Sequence, residues 1–262
     1  VMSTCNRIEV YVKRVDRFSD MEFIIPLIAK IKKIVFDFDS AKYLYIYKDD
    51  QAVDHLMRVA TGIDSLVLGE KQILGQVKSS VERARALSII SKYFNILTNV
   101  AIRAGKKAQN ETDISCGGSS VSWAAINMAE EHLQTLHGKS ILIIGAGKMG
   151  ELALAQIHSK GAARIYLMNR TGEKAEALAE RFSGIPVSFM DMKDTLLDVD
   201  ICICSAGAPH YILDKSMVEP IMAKRDHRKL LFMDISMPRN IDPQTATIDG
   251  VCLFTIDDLD KV

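Results

Sequence analysis

The sequence predicts an α/β protein in two parts: an N-terminal α+β unit, joined by a helix to a doubly wound parallel sheet. Three observations carry this. Residues 141–168 read as apolar run, glycine turn, helical pattern and second apolar run. Further apolar runs at 199–204, 230–235 and 251–254 keep strands alternating with helices, the order that builds a parallel sheet. Residues 1–137 instead combine short alternating segments with long amphipathic stretches.

The sheet unit starts at Ile141-Leu142-Ile143-Ile144, which empties into Gly145-Ala146-Gly147-Lys148-Met149-Gly150 and the helical Glu151-Leu152-Ala153-Leu154-Ala155. A complete G-x-G-x-x-G between a buried strand and a helix is a dinucleotide-binding pattern. Gly145 allows the tight turn, Gly147 lets the backbone approach a pyrophosphate, and Gly150 lets the helix pack on the strand. The free N–H groups of the helix start would hold the phosphates. A glycine-rich turn with no ligand is the plainer alternative.

The next strand, 163–168, ends in Asn169-Arg170-Thr171. About 20 residues past the glycines an NAD binder carries Asp or Glu for the ribose hydroxyls. Here there is no acid, and Arg170 suits a 2′-phosphate, so the expected cofactor is NADPH. A helix over 173–182 and a strand over 199–204 follow. Ser205-Ala206-Gly207-Ala208-Pro209 then forms a small-residue loop at a strand's carboxyl end, where open α/β sheets bind ligands. Ser205 and Ala206 join the cofactor-binding set. Cys202 and Cys204 form a C-x-C without a second cysteine pair, so no metal site is expected.

The totals narrow the class. With 33 Lys+Arg against 33 Asp+Glu, no bulk charge announces a nucleic-acid partner, although a local patch stays open. Five cysteines are an odd, scattered set and fit thiols in a reducing, cytoplasmic compartment. No apolar run reaches membrane-spanning length and no signal peptide is visible, so no membrane partner is expected. Val1 falls inside an apparent strand, which predicts further residues upstream.

In the front unit, Ile8, Val10 and Val12 alternate as a strand's apolar face. The polar insert Ser3-Thr4-Cys5-Asn6-Arg7 precedes it. A thiol beside a guanidinium is eased towards thiolate, the nucleophile of acyl transfer; a packed cysteine near a turn is the alternative. Residues 21–36 read as an amphipathic helix, and Tyr43-Leu44-Tyr45-Ile46-Tyr47 as a second strand. Ala52, His55, Leu56, Val59 and Ala60 follow helical spacing up to Gly62. His55 suits proton transfer near neutrality, or a structural role on the apolar face. In residues 62–78, Ser65, Glu70, Gln72 and Gln76 offer hydrogen-bonding groups, with Gln72 and Gln76 on one helix face. They fit an amino-acid pocket or a capped surface helix. Residues 80–110 read as continuing helix with scattered basic residues, and 119–136 as an alanine-rich helix. The expected divisions are 1–115, a catalytic unit; 116–137, a linker helix; 138–256, the nucleotide-binding unit; and 257–262, the start of a further region.

Taken in order, several segments resemble the glutamyl-tRNA reductase family. They are Ser3-Thr4-Cys5-Asn6-Arg7, His55-Leu56-Met57-Arg58-Val59-Ala60, residues 62–78, the glycine turn, and Asp234-Ile235-Ser236-Met237-Pro238-Arg239. The resemblance spans nearly the whole chain. It implies an N-terminal catalytic domain and a Rossmann-type NADP-binding domain. It also implies reduction of glutamyl-tRNA(Glu) to glutamate-1-semialdehyde through a cysteine thioester, the first step towards 5-aminolevulinate and tetrapyrroles. Cys5 would be the nucleophile and His55 would matter for activity. Thr4, Asn6, Arg7, Ser65, Glu70, Lys71, Gln72 and Gln76 would line the glutamyl pocket. Lys71 stands where the family often has proline, and Gln109 where it usually has arginine. The family forms homodimers through a C-terminal helical region that these residues do not include, and an aminomutase is the expected recipient of the aldehyde. Two other readings keep a place: an NADP oxidoreductase like shikimate dehydrogenase, which shares the Asn169-Arg170-Thr171 pattern, and an inactive truncated binding form.

Overall fold

The computed structural model describes residues 1–4, 7–13, 20–33, 44–115 and 120–261. Cys5 and Asn6, the first residue of the 43–47 segment and the end of the 21–36 helix lie outside them.

The second unit is a six-stranded sheet. Its strands are β3 (Ser140–Ile144), β4 (Arg164–Met168), β5 (Ile185–Pro186), β6 (Ile201–Cys204), β7 (Leu230–Asp234) and β8 (Val251–Thr255). They lie in the order β5-β4-β3-β6-β7-β8, every neighbouring pair parallel. The first strand is central and later ones add outward on both sides. The order of strand addition therefore reverses between β3 and β6, and their carboxyl ends open a crevice.

The strands read as unbroken apolar runs because both faces are covered. Ile141, Ile143, Ile201 and Ile203 enter one core cluster, and Leu142, Ile144, Cys202 and Cys204 the other. Helices α6 (Lys148–Ser159) and α7 (Gly172–Phe182) cover the first face; α8 (Met192–Asp198) and α9 (Lys215–Met222) cover the second. Helix α5 (Val121–Leu133) also belongs to this unit. Its Val121, Ala124, Ala125, Ile126 and Ala129 are buried in the first cluster, so the described part of the expected linker helix packs on the sheet unit, its alanines allowing close approach. The turn Ile256–Lys261 follows β8 and buries Ile256 and Leu259 in the same cluster. Among the described residues no helix is long and apolar enough to cross a membrane.

The first unit holds a two-stranded antiparallel sheet, β1 (Met2–Ser3) and β2 (Ile8–Glu9), with α1 (Asp20–Lys32) and three packed helices. These are α2 (Asp50–Thr61), α3 (Lys71–Ala86) and α4 (Lys92–Glu111). Met2, Leu56, Val59, Ala60, Ile73, Val77 and Ala101 make its core. Gly62 ends α2 in the left-handed region, φ 80°, as its position after the last periodic residue predicted.

Three local expectations need correction. The alternation of Ile8, Val10 and Val12 located a strand but named the wrong inner face: Ile8 and Val12 are exposed and Glu9 is 6% exposed. Leu44–Lys48 carries no strand; its tyrosines pack on α2 instead, Tyr47 lying 4.7 Å from the His55 ring. The helix expected over 80–110 breaks at residues 87–91. Ser88 takes φ 53°, and the Ser91 hydroxyl accepts from Phe94 N–H to start α4.

Residues 62–70 form a closed loop, tied at its neck by Gly69 N–H donating to the Gly62 carbonyl at 2.9 Å. Leu66 and Val67 at its tip pack against the first core cluster of the sheet unit.

Candidate functional site

The polar centre of the first unit is a buried carboxylate. Glu9 Oε1 lies 2.8 Å from Arg7 Nε and 2.8 Å from His55 Nε2, and accepts from the Tyr45 hydroxyl at 2.7 Å. Its other oxygen accepts from the Tyr11 hydroxyl. Burial alone would push the Glu9 carboxyl up. The hydrogen bonds from Tyr11, Tyr45 and His55 outweigh it and hold it below its ordinary value. Burial and the Glu9 carboxylate push both tyrosine hydroxyls well above their usual range, so they stay donors.

Asp64 closes the cluster from the other side. Its carboxylate lies 2.8 Å from Arg7 Nη2 and 3.7 Å from His55 Nδ1, and its carbonyl accepts from Arg7 Nη2 at 2.6 Å. Arg7 thus spans two carboxylates. Hydrogen bonds between Thr4 and Arg7 set it there: Thr4 N–H donates to the Arg7 carbonyl at 2.9 Å, and Arg7 N–H to Thr4 Oγ1 at 3.0 Å.

The expected pocket residues divide. Thr4, Arg7, Ser65 and Glu70 line one cavity with Val59, Asp64, Leu66 and Ile73; at about 10 Å³ it holds no more than one water. Glu70, at the start of α3, is 3% exposed, and burial pushes its carboxyl up to about 7. Ser65 Oγ and Gln76 Oε1 are buried polar atoms with no hydrogen-bond partner among the described residues. Lys71, Gln72 and Gln76 lie on α3 and line neither cavity. A larger opening of about 560 Å³ lies on the far side of Asp64, bounded by Tyr47, Asp50, Gln51, Asp54, His55 and Arg58. Among the described residues no cluster has the ligands for a metal ion.

Glu9 and Asp64 were missed in the sequence. Glu9 sat opposite the apolar face of the strand, and Asp64 in a stretch read for the hydrogen-bonding groups of Ser65, Glu70, Gln72 and Gln76. The available signal was an acid two residues beyond Arg7 in a strand.

The second site is the carboxyl edge of the sheet. Gly145 has φ 114°, and a Cβ there would press on the Ser205 backbone at 2.8 Å. A Cβ on Gly150 would run into the Gly145 carbonyl oxygen. Gly147 differs: a Cβ there would meet nothing within 4 Å, so no packing in this chain requires glycine. The open space lies at the start of α6, where Gly147 is the N-cap and backbone N–H groups face outward. A pyrophosphate fits that cradle. Asn169 braces it, accepting from Ala146 N–H at 3.1 Å and donating to the Thr171 carbonyl at 2.9 Å. Ser205 Oγ donates to the Gly145 carbonyl at 3.2 Å, and Ala206 packs half-buried on the second core cluster. Met149 is half-buried, its carbonyl accepting from Ser122 Oγ at 2.9 Å. Lys148 and Arg170 are exposed. The strand order, glycine turn and open cradle make this unit a dehydrogenase-type fold for a nicotinamide dinucleotide.

Comparison with known proteins joins the two sites. Residues 1–112 match the family model described as glutamyl-tRNAGlu reductase, N-terminal domain; residues 127–262 match the one described as shikimate / quinate 5-dehydrogenase. A curated protein of Thermodesulfovibrio yellowstonii named glutamyl-tRNA reductase is 42% identical over 268 residues, covering 100% of this chain and 62% of its own length. One of Bacillus pumilus with the same name is 42% identical, covering 100% of this chain and 57% of its own length. The solved structure of glutamyl-tRNA reductase from Methanopyrus kandleri is similar with TM-score 0.53 at 35% identity, over 86% of this chain and 58% of that one. The chain spans about three fifths of the length of the curated relatives it matches. Both halves and their order are those of one enzyme family, and the chain belongs to the glutamyl-tRNA reductase family.

Proposed function

We propose that the chain carries out the NADPH-dependent reduction of glutamyl-tRNA(Glu) to glutamate-1-semialdehyde, the step that commits glutamate to 5-aminolevulinate and tetrapyrroles. The observation that carries this is the conjunction of the Arg7–Glu9–His55–Asp64 cluster, whose Arg7 and Glu9 follow Cys5 closely in sequence, with a glycine-turn nucleotide fold in one chain. Cys5 thiolate attacks the ester carbonyl; a C–S bond forms and the C–O bond to the tRNA ribose breaks. His55 protonates the leaving oxygen. Its Nε2 is engaged by Glu9, so Nδ1, beside Asp64 and the larger opening, is the nitrogen available for that proton. When bound, NADPH supplies the hydride for the acyl carbon. Cys5 sulfur leaves as thiolate and is free for the next turnover.

Thr4, Asn6, Arg7, Ser65, Glu70, Lys71, Gln72 and Gln76 form the proposed glutamyl subsite; the cavity of about 10 Å³ lined by Thr4, Arg7, Ser65 and Glu70 must widen, bringing in Lys71, Gln72 and Gln76, before the glutamyl group enters. Arg7 approaches the substrate as a fixed group between two carboxylates, which favours orientation over net positive charge. Arg170, exposed at the end of β4, selects NADPH over NADH through the 2′-phosphate. The enzyme works in the cytoplasm and passes its aldehyde to an aminomutase.

Cys5→Ser tests the reading. With labelled glutamyl-tRNA and NADPH, the parent chain is expected to release semialdehyde and, without NADPH, to trap label on protein. The variant should do neither. Undiminished reduction by the variant overturns the role of Cys5. Shikimate oxidation with NADP by a parent chain inert to glutamyl-tRNA would favour the dehydrogenase reading that the 127–262 match suggests. Activity that appears only in a longer chain would mark these residues as an insufficient part.

A further inference from the structure

Three strand ends meet at the crevice of the sheet unit, and one residue ties two of them together. Asn240 is 0% exposed. Its side-chain amide donates to the carbonyls of Ala208 at 3.0 Å and His210 at 3.3 Å, in the loop after β6. Its own carbonyl accepts from Ile212 N–H at 2.6 Å and Leu213 N–H at 3.1 Å. Asn240 is itself held by Asp234, the last residue of β7. That buried carboxylate accepts from Ser236 N–H at 3.0 Å, Asn240 N–H at 2.8 Å and Ile241 N–H at 2.8 Å. At its other end the loop after β6 is fastened to the glycine turn through Ser205 Oγ.

A sheet of this order is built of two mononucleotide-binding halves. The glycine turn and Asn169-Arg170-Thr171 belong to the half formed by β3, β4 and β5. The loops that Asn240 joins belong to the half formed by β6, β7 and β8, which takes the nicotinamide mononucleotide. A Cβ on Gly207, in the loop after β6, would meet nothing within 4 Å, as at Gly147. Small residues leave the middle of this loop open to a ligand, and hydrogen bonds fix the path between its packed ends at Ala206 and Leu213. A loop held in its bound shape binds without first losing conformational freedom.

We propose that Asn240, seated by Asp234, is the positioning residue for the nicotinamide half of the cofactor cleft: it fixes the loop after β6 without touching the dinucleotide. This rests on the nicotinamide-dinucleotide reading of the sheet unit.

The test compares two probes on the parent chain and on Asn240→Ala and Asp234→Asn. NADPH spans both halves, whereas adenosine 2′,5′-bisphosphate occupies only the adenosine half. In Asn240→Ala, NADPH binding measured by calorimetry is expected to weaken about tenfold, comparable with losing one or two neutral hydrogen bonds' worth of loop order. Affinity for adenosine 2′,5′-bisphosphate should stay within about twofold, which also shows that the unit is folded. Asp234→Asn should shift in the same direction by less. Unchanged NADPH affinity, or an equal loss for both probes in both variants, overturns the proposal. A parent chain that binds neither probe overturns the cofactor reading instead.

Discussion

His55 Nε2 lies 2.8 Å from Glu9 Oε1, a carboxylate 6% exposed that Arg7, Tyr11 and Tyr45 also engage. The pair fixes the imidazole ring and decides which nitrogen faces the larger opening. Glu9→Gln should cost about 2–3 kcal/mol of stability at neutral pH, because Arg7 keeps one of its two carboxylates and buried donors lose a charged acceptor. The pH dependence has a definite sign. The folded Glu9 value lies below the ordinary 4.5, so its stabilisation is complete above 4.5 and is lost as pH falls through the lower folded value. Urea unfolding at pH 7 and pH 3 should show a gap between parent and variant that shrinks in acid. A gap of the same size at both would contradict this account.

Glu70 has the opposite sign. Its folded value, about 7 against an ordinary 4.5, means that the folded chain binds more protons than the unfolded chain between those two pH values. Stability therefore falls as pH rises through that window. Glu70→Gln removes the ionisation and should gain on the parent by roughly 2 kcal/mol between pH 5 and pH 8. Melting curves at the two pH values check it; a constant difference would refute it.

The glycine turn predicts a separation of stability from binding. Gly147→Ala places a methyl in open space, so the melting temperature should stay within about 2 °C of the parent while NADPH affinity falls tenfold or more. Gly150→Ala drives the methyl into the Gly145 carbonyl oxygen and should lower the melting temperature by several degrees, roughly 2–4 °C per kcal/mol in a chain of this size. Calorimetric melts and NADPH titration of the two variants distinguish the roles.

Arg225 is 2% exposed and donates to the carbonyls of Leu196, Leu197, Arg228 and Lys229, binding the end of α8 to the turn before β7. Arg225→Met keeps much of the volume but leaves four acceptors without this donor. A loss of about 3 kcal/mol is expected in urea unfolding. A loss below 1 kcal/mol would mean that those carbonyls find other partners.

What could be read from the sequence follows from how local each signal is. Gly145, Gly147 and Gly150 lie within one strand–turn–helix, and their spacing alone implied the tight turn at Gly145 and the close helix packing at Gly150 that the structure bears out. The apolar run at 199–204 was likewise legible as a buried strand, and its Cys202 and Cys204, two residues apart, are packed in the second cluster. The Glu9 cluster is different. Its members are joined across 46 residues from His55 and, from Arg7 to Asp64, across 57. Period-two alternation identified the strand around Glu9, yet it cannot tell which face is inside when an acid is buried by partners distant in sequence. Asn240 was invisible for the same reason, since its ties reach back 30 and 32 residues to loop carbonyls that carry no residue-type signature.

The closed loop of residues 62–70 has a consequence for how this chain can vary. Its neck is the Gly69-to-Gly62 hydrogen bond, Asp64 on its flank grips Arg7, and Leu66 and Val67 at its tip sit on the sheet unit. Nine residues are thereby measured against two neighbours at once. An inserted residue would either lift the tip from the sheet or pull Asp64 away from Arg7. The two units consequently cannot be inherited as independent modules: a hybrid joining the first unit of one relative to the sheet unit of another must carry a loop cut to the dimensions of both.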